Sequence, residues 1–419
     1  MSRYYEGIRW TGEICDCSLP IAMDTYNICS YKCAYCFSQF QRMGCRAGHE
    51  STYKKNLLEH ISIDKIKKIF SLQTKSQFNR WIKEKRPIQW GALSDQFDEN
   101  ERQNGITLEL LRFFSELDYP ISFSSKAAWF TEDPRYMEII QKMGKKWNFK
   151  ISIITLDAEK AKKIERGVPS PVERLKAIER LSKTGASVTL RLRPFILGVS
   201  DETYIELIEQ AHNYGAQALS TEFLCIETRA TGFQYSRDNY EVLSSCCGLD
   251  ILDFYRKYSK GTGYLRLNRE IKRPYIKRMK KLCKKIGMRF YCSDASFKEL
   301  SHNCCCCGLP DDWKFSRGSF SQALQIAKKE GEVHFSSIKD DLASYTAGYK
   351  WNNATNYNTN SAKKRTKFYD FTMYDYIHYL WNNPGLSNSP SNAFGGILLP
   401  VGTDKNGDIV YRYNRKESC

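Results

Sequence analysis

The sequence predicts an α/β protein: an open, partial (β/α)6 barrel of the TIM type, followed by a C-terminal cysteine-rich and basic/aromatic extension. Three observations predict it. Apolar strand-like runs alternate with amphipathic helical patterns from about residue 18 to residue 292. Alternation of that length calls for parallel strands joined by right-handed crossovers. Six such units suggest an open barrel rather than a closed eight-fold one, and beyond residue 309 the rhythm stops.

The strand candidates fall at 20–25, 87–92, 120–124, 149–154, 187–192 and 217–223, with a short last one at 288–292. Several helices between them have readable ends. Ser62 precedes Ile-Asp-Lys as an N-cap. An i, i+3, i+4 apolar face runs from Leu108 to Leu117. Ser170-Pro-Val-Glu places serine, proline and glutamate where a helix start wants them, and Gly185 suits the left-handed cap at its end. A basic helix over 271–286 stops at Gly287. Residues 351–360 are polar and read as a loop, 362–367 are a basic run, and 368–383 are dense in Tyr, Phe and Trp. The organisation expected is an N-terminal extension over 1–17, the barrel with its basic helix and final strand over 18–292, and the extension over 293–419.

Hydrophobic residues at 42% and aromatics at 13% exclude global disorder. No run of 18 apolar residues offers a membrane-spanning helix, and the start, Met-Ser-Arg-Tyr-Tyr-Glu-Gly, lacks the apolar core of a secretory signal. The expected compartment is the cytoplasm. There, sixteen cysteines serve as metal ligands, buried thiols or redox groups rather than disulfides. Lys and Arg outnumber Asp and Glu by 64 to 47, a net +17. That excess favours polyanion partners, nucleic acid first and a phosphorylated metabolite second.

Cys29, Cys33 and Cys36 stand as Cys-x3-Cys-x2-Cys on the loop after the first strand candidate. In barrels of this kind the chemistry sits at the C-terminal strand ends, which is where this loop falls. Three thiolates can hold three irons of a cubane and leave the fourth open, whereas four cysteines close an ordinary [4Fe–4S] cluster. Zinc is the alternative, but zinc loops pair two close cysteines with a second pair or with histidines. The nearest histidine, His49, does not obviously complete the loop.

The cysteine spacing, with Tyr35 directly before the last cysteine, resembles the signature loop of the radical S-adenosylmethionine (SAM) superfamily. Ile151-Ser-Ile-Ile-Thr-Leu-Asp157, Ile164-Glu-Arg-Gly-Val-Pro-Ser-Pro171 and Arg191-Leu-Arg-Pro-Phe-Ile-Leu-Gly-Val-Ser-Asp201 resemble its spore photoproduct lyase-like branch. The likeness spans about residues 18–225. It implies a partial TIM barrel, one [4Fe–4S] cluster on Cys29, Cys33 and Cys36, and SAM on its open iron. It further implies that Tyr35 packs near the SAM adenine and that Ser94, Lys126 and Ser152 meet the SAM amino acid moiety. Arg193, after the fifth strand, is a further candidate for SAM or a substrate phosphate. An electron donor such as flavodoxin or ferredoxin would serve the cluster.

Two departures separate the chain from the lyase itself. A hydrogen-donating cysteine of the lyase falls on Ala92, and a tyrosine after the last cluster cysteine falls on Phe37. Neither alanine nor phenylalanine donates a hydrogen atom readily, so a different reaction is expected. The substrate class expected first is a nucleic acid base, for modification or repair. A phosphorylated metabolite and a peptide are the other enzymatic readings, and a non-catalytic Fe–S or zinc nucleic-acid-binding protein is the reading of another class. Cys283, Cys292, Cys304 and Cys307 are candidates for an auxiliary cluster or zinc, since the last two have knuckle spacing.

Overall fold

The computed structural model describes residues 7–11, 14–38, 58–227, 237–259, 264–348 and 370–415. Thirteen strands are found among them: β1 (Arg9–Trp10), β2 (Ile21–Met23), β3 (Ile88–Trp90), β4 (Ile121–Ser125), β5 (Trp147–Ser152), β6 (Ser187–Phe195), β7 (Ala218–Phe223), β8 (Cys225–Glu227), β9 (Tyr264–Arg266), β10 (Arg289–Cys292), β11 (Glu332–Val333), β12 (Leu398–Thr403) and β13 (Ile409–Tyr413). Eight of them make one sheet in the order β1-β2-β3-β4-β5-β6-β7-β10. β4 to β7 pair in parallel, each with the next, and β1 adds an antiparallel edge. The fold is the α/β class expected, with a mostly parallel sheet and helices between the strands.

The chain divides into two compact units: residues 1–7, 23–63 and 89–290 form the first, and residues 8–22, 64–88 and 291–419 the second. In the first unit the pleat sorts side chains by face, because neighbours along a strand point to opposite sides. Ile121, Phe123, Trp147, Phe149, Ile151, Val188, Leu190 and Leu219 share one face by register. Phe123 and Phe149 stack at 4.7 Å, and Phe149 reaches Phe130 of the short turn Trp129–Thr131 at 6.1 Å. Trp90 bridges Phe123 and Phe114, the latter on helix Ile106–Glu116. This is the core face. The opposite face carries Ser122, Ser124, Asn148, Lys150, Ser152, Thr189, Arg191 and Ser220.

Helix ends follow the expected local chemistry. Ser170 and Glu173 form a full capping box on helix Pro171–Lys183, and Gly287 ends helix Arg269–Ile286 in the left-handed conformation. β5 starts two residues earlier than its apolar run, because Trp147 and Asn148 pair with Ile121 and Ser122. β6 runs three residues past its expected end, with a register shift between Leu192 and Phe195.

The second unit holds structure that the sequence pattern did not announce. β11, β13 and β12 form an antiparallel sheet, beside helices Phe320–Glu330 and Met373–Trp381. Trp381 packs on Phe320, Phe335 and Tyr411. The loop expected at 351–360 and the basic run at 362–367 lie outside the described residues. Among the described residues no helix is long and apolar enough to cross a membrane.

Gly91 ends β3 with φ +88°, and a Cβ there would stand 2.5 Å from the Ser124 carbonyl oxygen and 2.1 Å from Gln96 Oε1. Gly91→Ala is expected to destabilise the chain by about 3 kcal/mol, combining left-handed strain with overpacking, as measured by urea unfolding.

Candidate active site

The loop after β2 is held on both flanks. Asp24 Oδ1 accepts from the backbone N–H groups of Leu93 (2.7 Å) and Ser94 (3.0 Å). The Tyr26 hydroxyl donates to Glu101 Oε2 at 2.6 Å. Glu101 is fully buried and also accepts from Tyr136 and from the N–H groups of Thr107 and Leu108. A buried carboxylate so surrounded has its lone pairs satisfied. Further along, Ser30 N donates to Asp98 Oδ2 at 2.6 Å, and Ala34 N donates to the Ile164 carbonyl at 2.8 Å.

Cys33 is buried, and Cys29 and Cys36 are partly buried. The Cys33 carbonyl accepts from Cys36 N at 3.1 Å, so these two thiols ride on one tight turn. Burial pushes the Cys33 thiol up to about 12, against the pull of the Lys126 ammonium. Cys29 stands well above the ordinary thiol range through burial and the nearby Asp98 and Asp95 carboxylates. Thiols held neutral by desolvation need positive charge to ionise, and bound iron supplies it. The donor chemistry therefore suits a thiophilic metal centre. Among the described residues no three His, Cys, Asp or Glu groups surround one metal-sized point.

The residues expected around SAM are each placed in the first unit. Lys126 follows β4, and its ammonium lies 5.7 Å from the Tyr35 ring centroid. Burial draws its pKa down, but the Cys33 and Glu165 charges outweigh this and raise it. The Ser152 hydroxyl is buried at the end of β5 and has no hydrogen-bond partner among the described residues. An orphaned buried hydroxyl is the kind of group that a bound ligand satisfies. Ser94 differs: its hydroxyl donates to the Tyr26 carbonyl at 2.6 Å, leaving it only lone pairs to offer. Arg193 pairs with Glu222, which ties it to β7.

Tyr35 shows what sequence reading missed. Its hydroxyl hydrogen-bonds to Glu165, whose other oxygen pairs with Arg174 at 2.7 Å. The same Arg174 nitrogen donates to the Ser152 carbonyl at 2.7 Å. The signal lay in Ile164-Glu-Arg-Gly and in an arginine on the buried side of an otherwise amphipathic helix. Asp95 was also missed. It accepts from Ser125 Oγ (2.8 Å) and the Lys126 N–H (2.6 Å), so it sets the start of the Lys126 segment.

The auxiliary candidates separate. Cys304 and Cys307 join one buried cluster with Cys305, Leu19, Leu309 and Phe315 in the second unit, and Cys17 packs against it. Cys292 is buried elsewhere in that unit, where its N–H donates to Ser301 Oγ, and Cys283 is buried on helix Arg269–Ile286 of the first unit.

No protein-family model and no curated protein matches the chain. Among solved structures it is similar to spore photoproduct lyase complexed with dinucleoside spore photoproduct, with TM-score 0.48 and 16% identity over 66% of this chain and 77% of that one. It is also similar to a variant of that lyase with bound AdoMet and dinucleoside spore photoproduct, with TM-score 0.46 and 16% identity over 66% and 76%. A third similar structure is Streptococcus suis SuiB bound to S-adenosylmethionine, with TM-score 0.34 and 14% identity over 66% and 51%.

Two outcomes are expected of the metal-free chain. Arg174→Met leaves the fully buried Glu165 without its cation and should cost about 3–5 kcal/mol in urea unfolding, most of it recovered in the Glu165→Leu/Arg174→Leu double variant. The second concerns Asp98, whose pKa burial raises from 3.8 to about 6. A carboxyl raised in the folded state adds stability that is full below the unfolded value and is lost as pH rises to the folded value. Between pH 4 and 6 the native chain should therefore lose about 3 kcal/mol relative to Asp98→Asn, measured by urea unfolding across that range.

Proposed function

We propose that the chain is a radical SAM enzyme, binding a [4Fe–4S] cluster on Cys29, Cys33 and Cys36. The observation that carries this reading is the triple-thiol loop after β2, clamped at Ala34 and Cys36 with the Lys126 ammonium over the Tyr35 ring. When bound, the cluster and SAM would supply a 5′-deoxyadenosyl radical for hydrogen abstraction. The protein's share is to bind, orient and exclude water. Lys126 would meet the methionyl carboxylate as a charge-assisted donor. The Ser152 hydroxyl would donate to the same zwitterion, and Ser94 could only accept from its amino group. Tyr35 would offer a ring whose position is set by Glu165.

The substrate proposed is a nucleic acid base. Net charge supports it, as does helix Arg269–Ile286, which exposes Lys277, Arg278, Lys281, Lys284 and Lys285. Phosphate contacts of that kind bind polyanions in a salt-dependent way. Ala92 and Phe37 in place of hydrogen donors support a reaction other than dimer repair by the lyase's relay.

The test is 5′-deoxyadenosine release from SAM after anaerobic cluster reconstitution and dithionite, for the native chain and Cys33→Ala. Release by the native chain with at least a hundredfold loss in the variant is expected. Equal release by both, or none by a native chain carrying about four irons, would overturn the assignment.

A further inference from the structure

Helix Arg269–Ile286 carries its charge on one side. Ile276, Met279, Leu282 and Cys283 are buried, whereas Lys277, Arg278, Lys281, Lys284 and Lys285 are exposed. Those five cations recur at i, i+1, i+4, i+7 and i+8, which is one stripe of a helix. Among the described residues none of them forms an ion pair. Glu270 is taken by Arg273, and Glu206 and Glu209 of the adjacent helix Tyr204–Asn213 pair with none of them. Arg278 reaches only the Tyr204 hydroxyl of that helix. Cations in a last turn complement the helix dipole, but the effect fades within that turn, and Lys277, Arg278 and Lys281 lie before it. A face serving solubility alone would mix both signs.

The stripe ends at a cavity of about 410 Å³ lined by His212, Gly215, Ala216, Gln217, Gly287 and Arg289. That volume suits a small-molecule group. Two helix ends and two strand starts meet there. His212 lies in the last turn of helix Tyr204–Asn213, Gly287 caps helix Arg269–Ile286, Gln217 directly precedes β7 and Arg289 opens β10. Arg289 N donates to the Gln217 carbonyl at 3.1 Å, which holds the two strand starts side by side. β7 runs parallel to β4–β6, so this end of the sheet lies away from Lys126 and Ser152, which stand at the other ends of β4 and β5. The length of β7, at about 3.3 Å per residue, separates the two ends by about 20 Å. Arg289 Nε and Nη2 are buried and have no hydrogen-bond partner among the described residues, so the fold does not hold this guanidinium through an acceptor.

Helix C-termini turn carbonyl groups outward and are the negative ends of their dipoles. Two of them at one cavity disfavour a phosphate inside it and suit the N–H donors of a base. An imidazole and a guanidinium are planar groups on which an unpaired base stacks. We infer that this cavity is a second nucleic-acid site, apart from the barrel mouth: phosphates of a single strand lie along Lys277 to Lys285, and one unpaired base enters against His212 and Arg289. The stripe rises about 12 Å, which covers three to four phosphates at about 3.4 Å each. The inference rests on the reading of the partner as nucleic acid and not on the radical chemistry.

The test uses the full metal-free chain without SAM, so that its outcome is independent of cluster assembly. The probes are a labelled DNA dodecamer of mixed sequence, the RNA of the same sequence, the DNA duplex and an abasic strand, with affinity read by fluorescence anisotropy across a salt series. The native chain should bind the mixed-sequence single strands at least tenfold more tightly than the duplex. Lys281→Gln/Lys284→Gln/Lys285→Gln should weaken single-strand binding and flatten the slope of log affinity against log salt by about 2. Lys281→Arg/Lys284→Arg/Lys285→Arg should keep both. His212→Ala and Arg289→Met should each weaken binding of the mixed-sequence strand at least fivefold. His212→Ala should bind the abasic strand as the native chain does, which a merely misfolded variant would not. A preference for the DNA or the RNA strand would assign the sugar; either supports the site. Four results would overturn it: no binding of any strand, unchanged affinity in the glutamine triple variant, unchanged affinity in both cavity variants, or a duplex bound as tightly as the single strand. None of these touches the radical SAM assignment, which stands or falls on 5′-deoxyadenosine release.

Discussion

The two-residue period of the β-strand is the constraint on which the rest of the structure depends. In β4 to β7 it sends Phe123, Trp147, Phe149 and Leu190 to one side and Ser124, Lys150, Ser152 and Arg191 to the other. The aromatic side makes the core with Phe97, Phe114 and Phe130. Burial of those rings supplies the main favourable term, at roughly 25 cal/mol per Å² of apolar surface. The polar side gathers hydroxyls and cations on the opposite face. A one-residue slip of any strand would exchange the two sets, so the apolar core and the polar face are specified together.

The buried Glu165–Arg174 pair is the second constraint, and it works on the loop rather than on the sheet. Three contacts converge on it: the Tyr35 hydroxyl, the Ser152 carbonyl and, one residue before Glu165, the Ile164 carbonyl that accepts from Ala34. An ion pair this deeply buried gains little net stability, since desolvation offsets the Coulomb attraction. What it supplies is geometry. Tyr35 lies between Ala34 and Cys36, so fixing its hydroxyl limits where the last two cysteines of the loop can go. Asp24, Asp98 and Glu101 restrain the other half in the same way, through backbone N–H groups and the Tyr26 hydroxyl.

Much of this was legible in the residues. All seven strand candidates correspond to strands of the main sheet, because runs such as Phe149-Lys-Ile-Ser and Ser187-Val-Thr-Leu carry strong β-preference between clear breaks. The capping box at Ser170 and the glycine stop at Gly287 are local chemistry and needed no tertiary information. Less legible was the second unit beyond residue 309, where β11 to β13 pair across about 80 residues of sequence. Glu332-Val333 is too short to show any period by itself.

The sequence by itself determined the strand–helix alternation, the helix ends and the three thiols of one loop, because each is written in residues a few positions apart. Only the tertiary structure decided that Tyr35 answers to Glu165 and Arg174, that Ser94 spends its hydroxyl on Tyr26 while Ser152 keeps its own, and that Lys150 and Arg191 share a face. Those relations join residues tens to more than a hundred positions apart. Strand register and helix packing bring them together, and neither can be read from any one segment.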